Sequence, residues 1–193
     1  MVKTPSELCN LIDKSKENWN AAREELFNSS LLVWFKFSNH STIVDNWNAI
    51  KGKYLKSKDV GLEAFMHLLN SKLENPRLEV NEKLISFPKI QSGDKISVQL
   101  VFTNKTRGFV ESELSFSKKL EGIDISSKSI SINNASGTSS TSVNFTIDSA
   151  VLLKGVDYST NIIAIPSNNQ ELKIPVSFRL VFPKKAFIKE SVK

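Results

Sequence analysis

Residues 74–80 read ENPRLEV, and at this point the hydrophobic period of the chain changes. Pro76 lacks a backbone N–H and its ring crowds the preceding turn, so a helix stops before it and Asn75 is biased toward extended backbone. On the N-terminal side, apolar residues recur at helical spacing. On the C-terminal side they alternate, the period of a strand.

Upstream, TPSE opens the first helix: Thr4 as N-cap, Pro5 at the first helical position and Glu7 three residues after the cap form a capping box. Leu8, Leu11 and Ile12 make its apolar stripe. A second helix is predicted from about Ser15, with Trp19, Ala22 and Leu26 on one face and Arg23, Glu24 and Glu25 toward solvent. FNSS interrupts it, and LLVWFKF is read as a third, buried helix containing Trp34. Ile43, Trp47, Ile50 and Tyr54 mark a fourth, and Leu62, Phe65, Met66 and Leu69 a fifth, with Asp59 as its expected cap. Trp19, Trp34 and Trp47 are expected to be the large core anchors of this bundle rather than a binding site.

Downstream, Ile96, Val98, Leu100 and Phe102 point one way, as do Val143, Phe145 and Ile147. The longest alternation runs through Leu172, Ile174, Val176, Phe178, Leu180 and Phe182. Shorter strands are predicted at 78–80, 84–87, 110–116, 129–132 and 161–165, separated by turn sequences such as QSGD, NKTRG and LLKGVD. Many short strands without intervening helices predict an antiparallel immunoglobulin-like β-sandwich. Pro175 makes the last strand a candidate edge. The fold class is thus α+β in two segregated parts: a helical bundle at 1–75, a sandwich at 76–183 and a basic tail or linker at 184–193.

The formal charge is +6, spread thinly: ten Lys/Arg against nine Asp/Glu in residues 1–75, and sixteen against eleven beyond them. The tail PKKAFIKESVK holds four of those lysines with Phe187 and Ile188. Nucleic-acid binding calls for a clustered basic face, and no such face, RNP motif or zinc-finger spacing is read here. The tail by itself would touch anionic lipid only marginally and reads as a linker or frayed end. No run of about 18 apolar residues is present, so no stable membrane insertion is expected. The N-terminus has no signal-like apolar run, and Cys9 is the single cysteine, which together predict a cytoplasmic protein. Five Asn-x-Ser/Thr triplets, at Asn28, Asn39, Asn104, Asn134 and Asn144, are read as chance in an Asn- and Ser-rich chain.

Chemistry-bearing residues are sparse. His40 sits in a loop-like SNHS, and His67 has no Cys, His or acidic residue three or four positions on, so no zinc set is predicted. Cys9 reads as a buried structural thiol. NASGTSST is not a phosphate loop, and Glu24–Glu25 and Glu111–Glu113 read as solvated carboxylates. No catalytic residue, cofactor or metal is predicted, and the chain is not expected to be an enzyme. The expected activity is protein binding or scaffolding, with the NKTRGF turn as the contact: Asn104, Lys105, Arg107, Gly108 and Phe109. The simpler reading of the same residues is a turn followed by the start of a strand. The rival class is a carbohydrate- or cell-wall-binding sandwich, which needs exposed aromatic rings on a sheet face; the β region offers no tryptophan and only Tyr158.

The string Trp19, Ala22, Leu26, Leu31, Trp34, Phe35, followed by DVGLEAFMHLLN (Asp59 to Asn70), Pro76 and LEV, resembles a helical module of multidomain bacterial proteins. There it stands beside DnaK-like chaperone, serine/threonine-kinase or repeat domains. LISFPKIQSGDKISVQLVFTNKTRG and YSTNIIAIPSNNQELKIPVSF are similar to the opening and closing strands of the immunoglobulin-like sandwich that follows it. The family pattern has a glycine between the paired helices where this chain has Ser29, and no kinase or chaperone domain lies within these residues. The resemblance implies an accessory module for positioning or partner recognition, as in a larger chaperone- or kinase-type signalling protein.

Overall fold

The structure, a computed structural model, describes residues 4–136, 139–168 and 170–182. The basic tail expected at 184–193 lies outside the described residues. Five helices come first: α1 (Pro5–Ile12), α2 (Lys16–Phe27), α3 (Ser30–Phe37), α4 (Ser41–Ile50), continued by a 3-10 turn Lys51–Tyr54, and α5 (Lys58–Leu69). Thr4 Oγ1 accepts from the Glu7 N–H and Ser15 Oγ from the Asn18 N–H, so side chains satisfy free donors at both starts. Ser29, between α2 and α3, has φ 74°, the left-handed region a glycine enters freely.

Trp19, Trp47, Phe35 and Phe65 are fully buried and fill the bundle. Trp47 meets Phe27 and Phe65 edge-on, each at 5.5 Å between centroids. Trp34 departs from its expected role. Leu31, Leu32 and Phe35 make the inward face of α3, and Trp34 is only half-buried, edge-on to Phe35. Asp59 is also different from the expected cap: it lies inside the first turn of α5 and binds α2, accepting from Trp19 Nε1 at 2.7 Å and from Arg23 Nη1 at 2.9 Å.

Among the described residues nine strands follow: β1 (Leu78–Val80), β2 (Ile85–Gln91), β3 (Lys95–Asn104), β4 (Phe109–Phe116), β5 (Ile123–Ile125), β6 (Ser129–Asn133), β7 (Ser140–Asp148), β8 (Asp157–Pro166) and β9 (Leu172–Val181). They form two sheets, ordered β1-β3-β7-β5 and β2-β9-β8-β4-β6, with Leu100, Phe102, Phe145, Ile162 and Leu180 among the buried residues between them. Two expectations are corrected. The sandwich is not wholly antiparallel, since β2 runs parallel to β9 with Ile85 opposite Val176. Nor is β9 an edge, because it lies between β2 and β8.

The missing donor of Pro175 is nonetheless accommodated within the sheet. Pro175 faces Asn161, whose backbone N–H and C=O both bond toward Ser117 on the far side of β8. The donor-less nitrogen of Pro175 therefore points away from β8, to where β2 has not yet begun pairing.

The two parts also share a core. Ala135, from the turn after β6, is buried within the helical cluster, and Phe109 packs against it.

Candidate functional site

The NKTRGF turn sits where the sandwich meets the bundle, and its groups are engaged inside the chain. Asn104, buried at the end of β3, shapes the turn: its Nδ2 donates to the Arg107 and Gly108 carbonyls, and its Oδ1 accepts from the Arg77 and Thr106 N–H groups. Gly108 has φ 70°, and a Cβ there would fall 2.1 Å from Glu63 Oε2. Only glycine lets the backbone approach the α5 carboxylate this closely.

That approach positions Arg107, whose side chain is 17% exposed. Its Nε and Nη2 fork onto Asp13 at 2.5 and 3.0 Å; Nη1 and Nη2 fork onto Glu63, and Nη1 also reaches the Glu74 carbonyl. All five guanidinium donors are thereby used, a pattern that lysine could not reproduce. Burial opposes the charge, but the bonds to Asp13 and Glu63 more than offset it and hold the guanidinium well above its ordinary pKa. Asp13 caps the C-terminus of α1, where a carboxylate opposes the helix dipole, so Arg107 also relieves an unfavourable local charge.

Glu63 completes the joint by accepting from the Phe109 N–H at 3.1 Å, and the Phe109 ring lies 6.4 Å from Trp19. Lys105 is the exposed member of the predicted set. Sequence reading singled out this turn but missed its counterparts, Asp13 and Glu63. Asp13 follows the last periodic residue of α1, and Glu63 is an acidic residue amid the apolar positions of α5. For Glu63 the available signal was an acid set among the apolar positions of a helix.

Glu63 also lies four residues before His67, with Nε2 3.2 Å from Glu63 Oε1, a neighbour that looking only forward from His67 overlooks. His67, Glu63, Asn75, Asn168 and Phe109 line a junction cavity of about 170 Å³, below the size that encloses a typical small-molecule ligand. Cys9 is buried beside the same cluster, and burial pushes its thiol up to about 11, so it stays protonated near neutrality. His40 precedes α4 with its ring 6.2 Å from Phe35. Among the described residues no group of three His, Cys, Asp or Glu side chains converges on a metal position. Among the described residues no helix is long and apolar enough to cross a membrane.

Free apolar surface gathers elsewhere, at the end of the sandwich carrying the β7–β8 connection. Leu153 is 74% exposed and Phe182 69%, with Val151 and Val156 beside Leu153 in the chain and also exposed. This end is held firmly. The Tyr158 hydroxyl accepts from the Leu153 N–H and donates to its carbonyl, Gly155 N–H donates to Leu180 O, and the Leu180 N–H donates to Val156 O. The Phe182 ring edge reaches to within 3.8 Å of where a Gly155 Cβ would stand, so loop and ring are neighbours. A shallow groove of about 350 Å³ crosses β2, β9 and β8, but Tyr158 there stacks on Phe178 at 5.1 Å.

No family model matches the chain, and no curated protein matches it. Among solved structures, the ASH / PapD-like domain of human CEP192 (PapD-like domain 7) is 16% identical, covering 58% of this chain and 93% of that one at a TM-score of 0.45. The periplasmic chaperone SfaE is 19% identical, covering 55% of this chain and 61% of that one at 0.41. A protein of unknown function from Porphyromonas gingivalis is 13% identical, covering 56% and 50% at 0.46.

Proposed function

We propose that the chain is a non-catalytic protein-interaction module, acting in the cytoplasm, that binds a partner through the apolar end of its sandwich. The carrying observation is the exposure of Leu153 and Phe182 on a hydrogen-bonded, preorganised end, with Val151 and Val156 alongside. Large side chains left in water on a hydrogen-bonded backbone give a partner apolar area with little further backbone ordering cost. The NKTRGF turn, first expected to meet a partner, is occupied by the bundle except at Lys105. Its role in this reading is to fix the bundle to the sandwich so that both present one composite surface. The non-catalytic reading rests on carboxylates bonded to Arg107 and on a thiol kept protonated by burial. The carbohydrate reading draws less support, because the Tyr158 ring is stacked on Phe178 and its hydroxyl is tied to Leu153.

The test is capture from native lysate by the immobilised chain, compared with a Leu153→Asp/Phe182→Asp variant of unchanged melting temperature. A protein recovered by the first and lost by the second is expected. Capture indifferent to the variant, or glycan-array binding with no protein recovered, overturns the proposal.

A further inference from the structure

From the end of α4 to the first residue of α5 the chain reads KGKYLKSK, residues 51–58, with four lysines and no carboxylate. The near-neutral balance of the N-terminal seventy-five residues conceals it, because their acidic residues lie elsewhere. Lys53, Lys56 and Lys58 are exposed and Lys51 half-buried, and no described residue forms an ion pair with any of them. Asp59, the next residue, is already neutralised by Arg23.

At the crest stands Leu55, 63% exposed between Lys53 and Lys56. It is held out by what surrounds it. Tyr54 stacks on Trp47 with 4° between the rings, which anchors the turn, and the Lys58 ammonium lies 5.6 Å over the Phe27 ring. At Gly52 a Cβ would find nothing within 4 Å, so this part of the turn is open to solvent.

From this arrangement we infer that the Lys51–Lys58 turn is a docking element for the surface of an anionic phospholipid bilayer. The lysines lie against the lipid headgroups and Leu55 reaches the acyl boundary. Both components are needed: clustered cations attract an anionic leaflet, and an apolar side chain gains only where there is hydrocarbon to enter. A nucleic-acid backbone would reward the lysines but not Leu55, and the turn's one aromatic ring is committed to Trp47 rather than free to stack on a base.

The experiment is sedimentation of the full chain with vesicles of phosphatidylcholine alone, or with a third phosphatidylserine. Binding is expected only to the anionic vesicles and is expected to weaken as salt rises. Lys53→Gln/Lys56→Gln should lower partitioning roughly thirtyfold, about fivefold per lysine. Leu55→Ser should lower it about tenfold without changing the salt dependence. All three positions are exposed, so an unchanged thermal melt is required of each variant. A Lys184→Gln/Lys185→Gln/Lys189→Gln variant controls for the C-terminal lysines. Absence of sedimentation, loss only in the C-terminal variant, or indifference to Leu55→Ser overturns the inference. So does oligonucleotide binding that needs the turn lysines in a chain that ignores vesicles.

Discussion

Gly108 is the residue on which the junction turns. Gly108→Ala places a Cβ inside the Glu63 carboxylate at a φ of 70°, so Glu63 must leave Arg107 and the Phe109 N–H. A loss of about 3 kcal/mol in urea unfolding is expected, the order found when one partner of a buried pair is displaced. Ser29 is the converse case, a non-glycine at φ 74°. Ser29→Gly should be neutral or stabilising by up to about 1 kcal/mol, because relief of left-handed strain exceeds the added backbone entropy only slightly. Cys9 sets a pH dependence. Its thiol ionises near 9.0 when unfolded and near 11 when folded, so between those values the unfolded chain has lost a proton that the folded chain keeps. Its contribution to stability is fully present below pH 9 and is lost as pH rises through 11. Unfolding midpoints compared at pH 8 and 10 should fall more steeply for the wild type than for Cys9→Ala. The burial that raises the thiol was readable from a lone cysteine on the apolar side of a capped helix; the charges that modify it were not, because Arg107 and Glu63 come from the turn after β3 and from α5.

Among the elements, α3 shows how far periodicity reaches. An apolar run of seven residues signals a helix but does not say which side faces in, because nearly every position would serve. Packing against α2 and α4 chose Leu31, Leu32 and Phe35, leaving Trp34 half-buried and Val33 and Phe37 exposed. Trp47→Ala should therefore cost roughly 3–5 kcal/mol by thermal or urea unfolding, and Trp34→Ala about half of that. Strand β5 went unread for the opposite reason. Ile-Asp-Ile is too short to show alternation, and only pairing with β7, Ile123 opposite Ile147, makes it a strand. The place of β9 within its sheet was equally out of reach, since a proline excludes one hydrogen bond and not a neighbour on either side.

For the whole molecule, the joint at 74–77 is tied rather than loose: Arg77 N–H donates to Asn104 and Thr106, Thr106 Oγ1 donates to the Asn75 carbonyl, and Arg107 holds the Glu74 carbonyl. Limited proteolysis should spare it, and the chain should melt in one transition. Arg107→Ala should lower stability by about 3 kcal/mol and open 74–77 to cleavage, measured by calorimetry and by mapping the fragments. Two separate transitions in the wild type would count against the joint being a structural unit. The helix-to-strand change at Pro76, the capped start at Thr4, and the inward faces of β3, β7 and β9 were determined by the sequence alone. All depend on residues close in the chain, where covalent geometry and hydrophobic period act directly. Sheet order, the parallel pairing of β2 with β9 and the meeting of Arg107 with Asp13 and Glu63 were decided only in three dimensions. Arg107 and Asp13 are 94 residues apart, and no local period encodes which distant carboxylate a buried guanidinium will find.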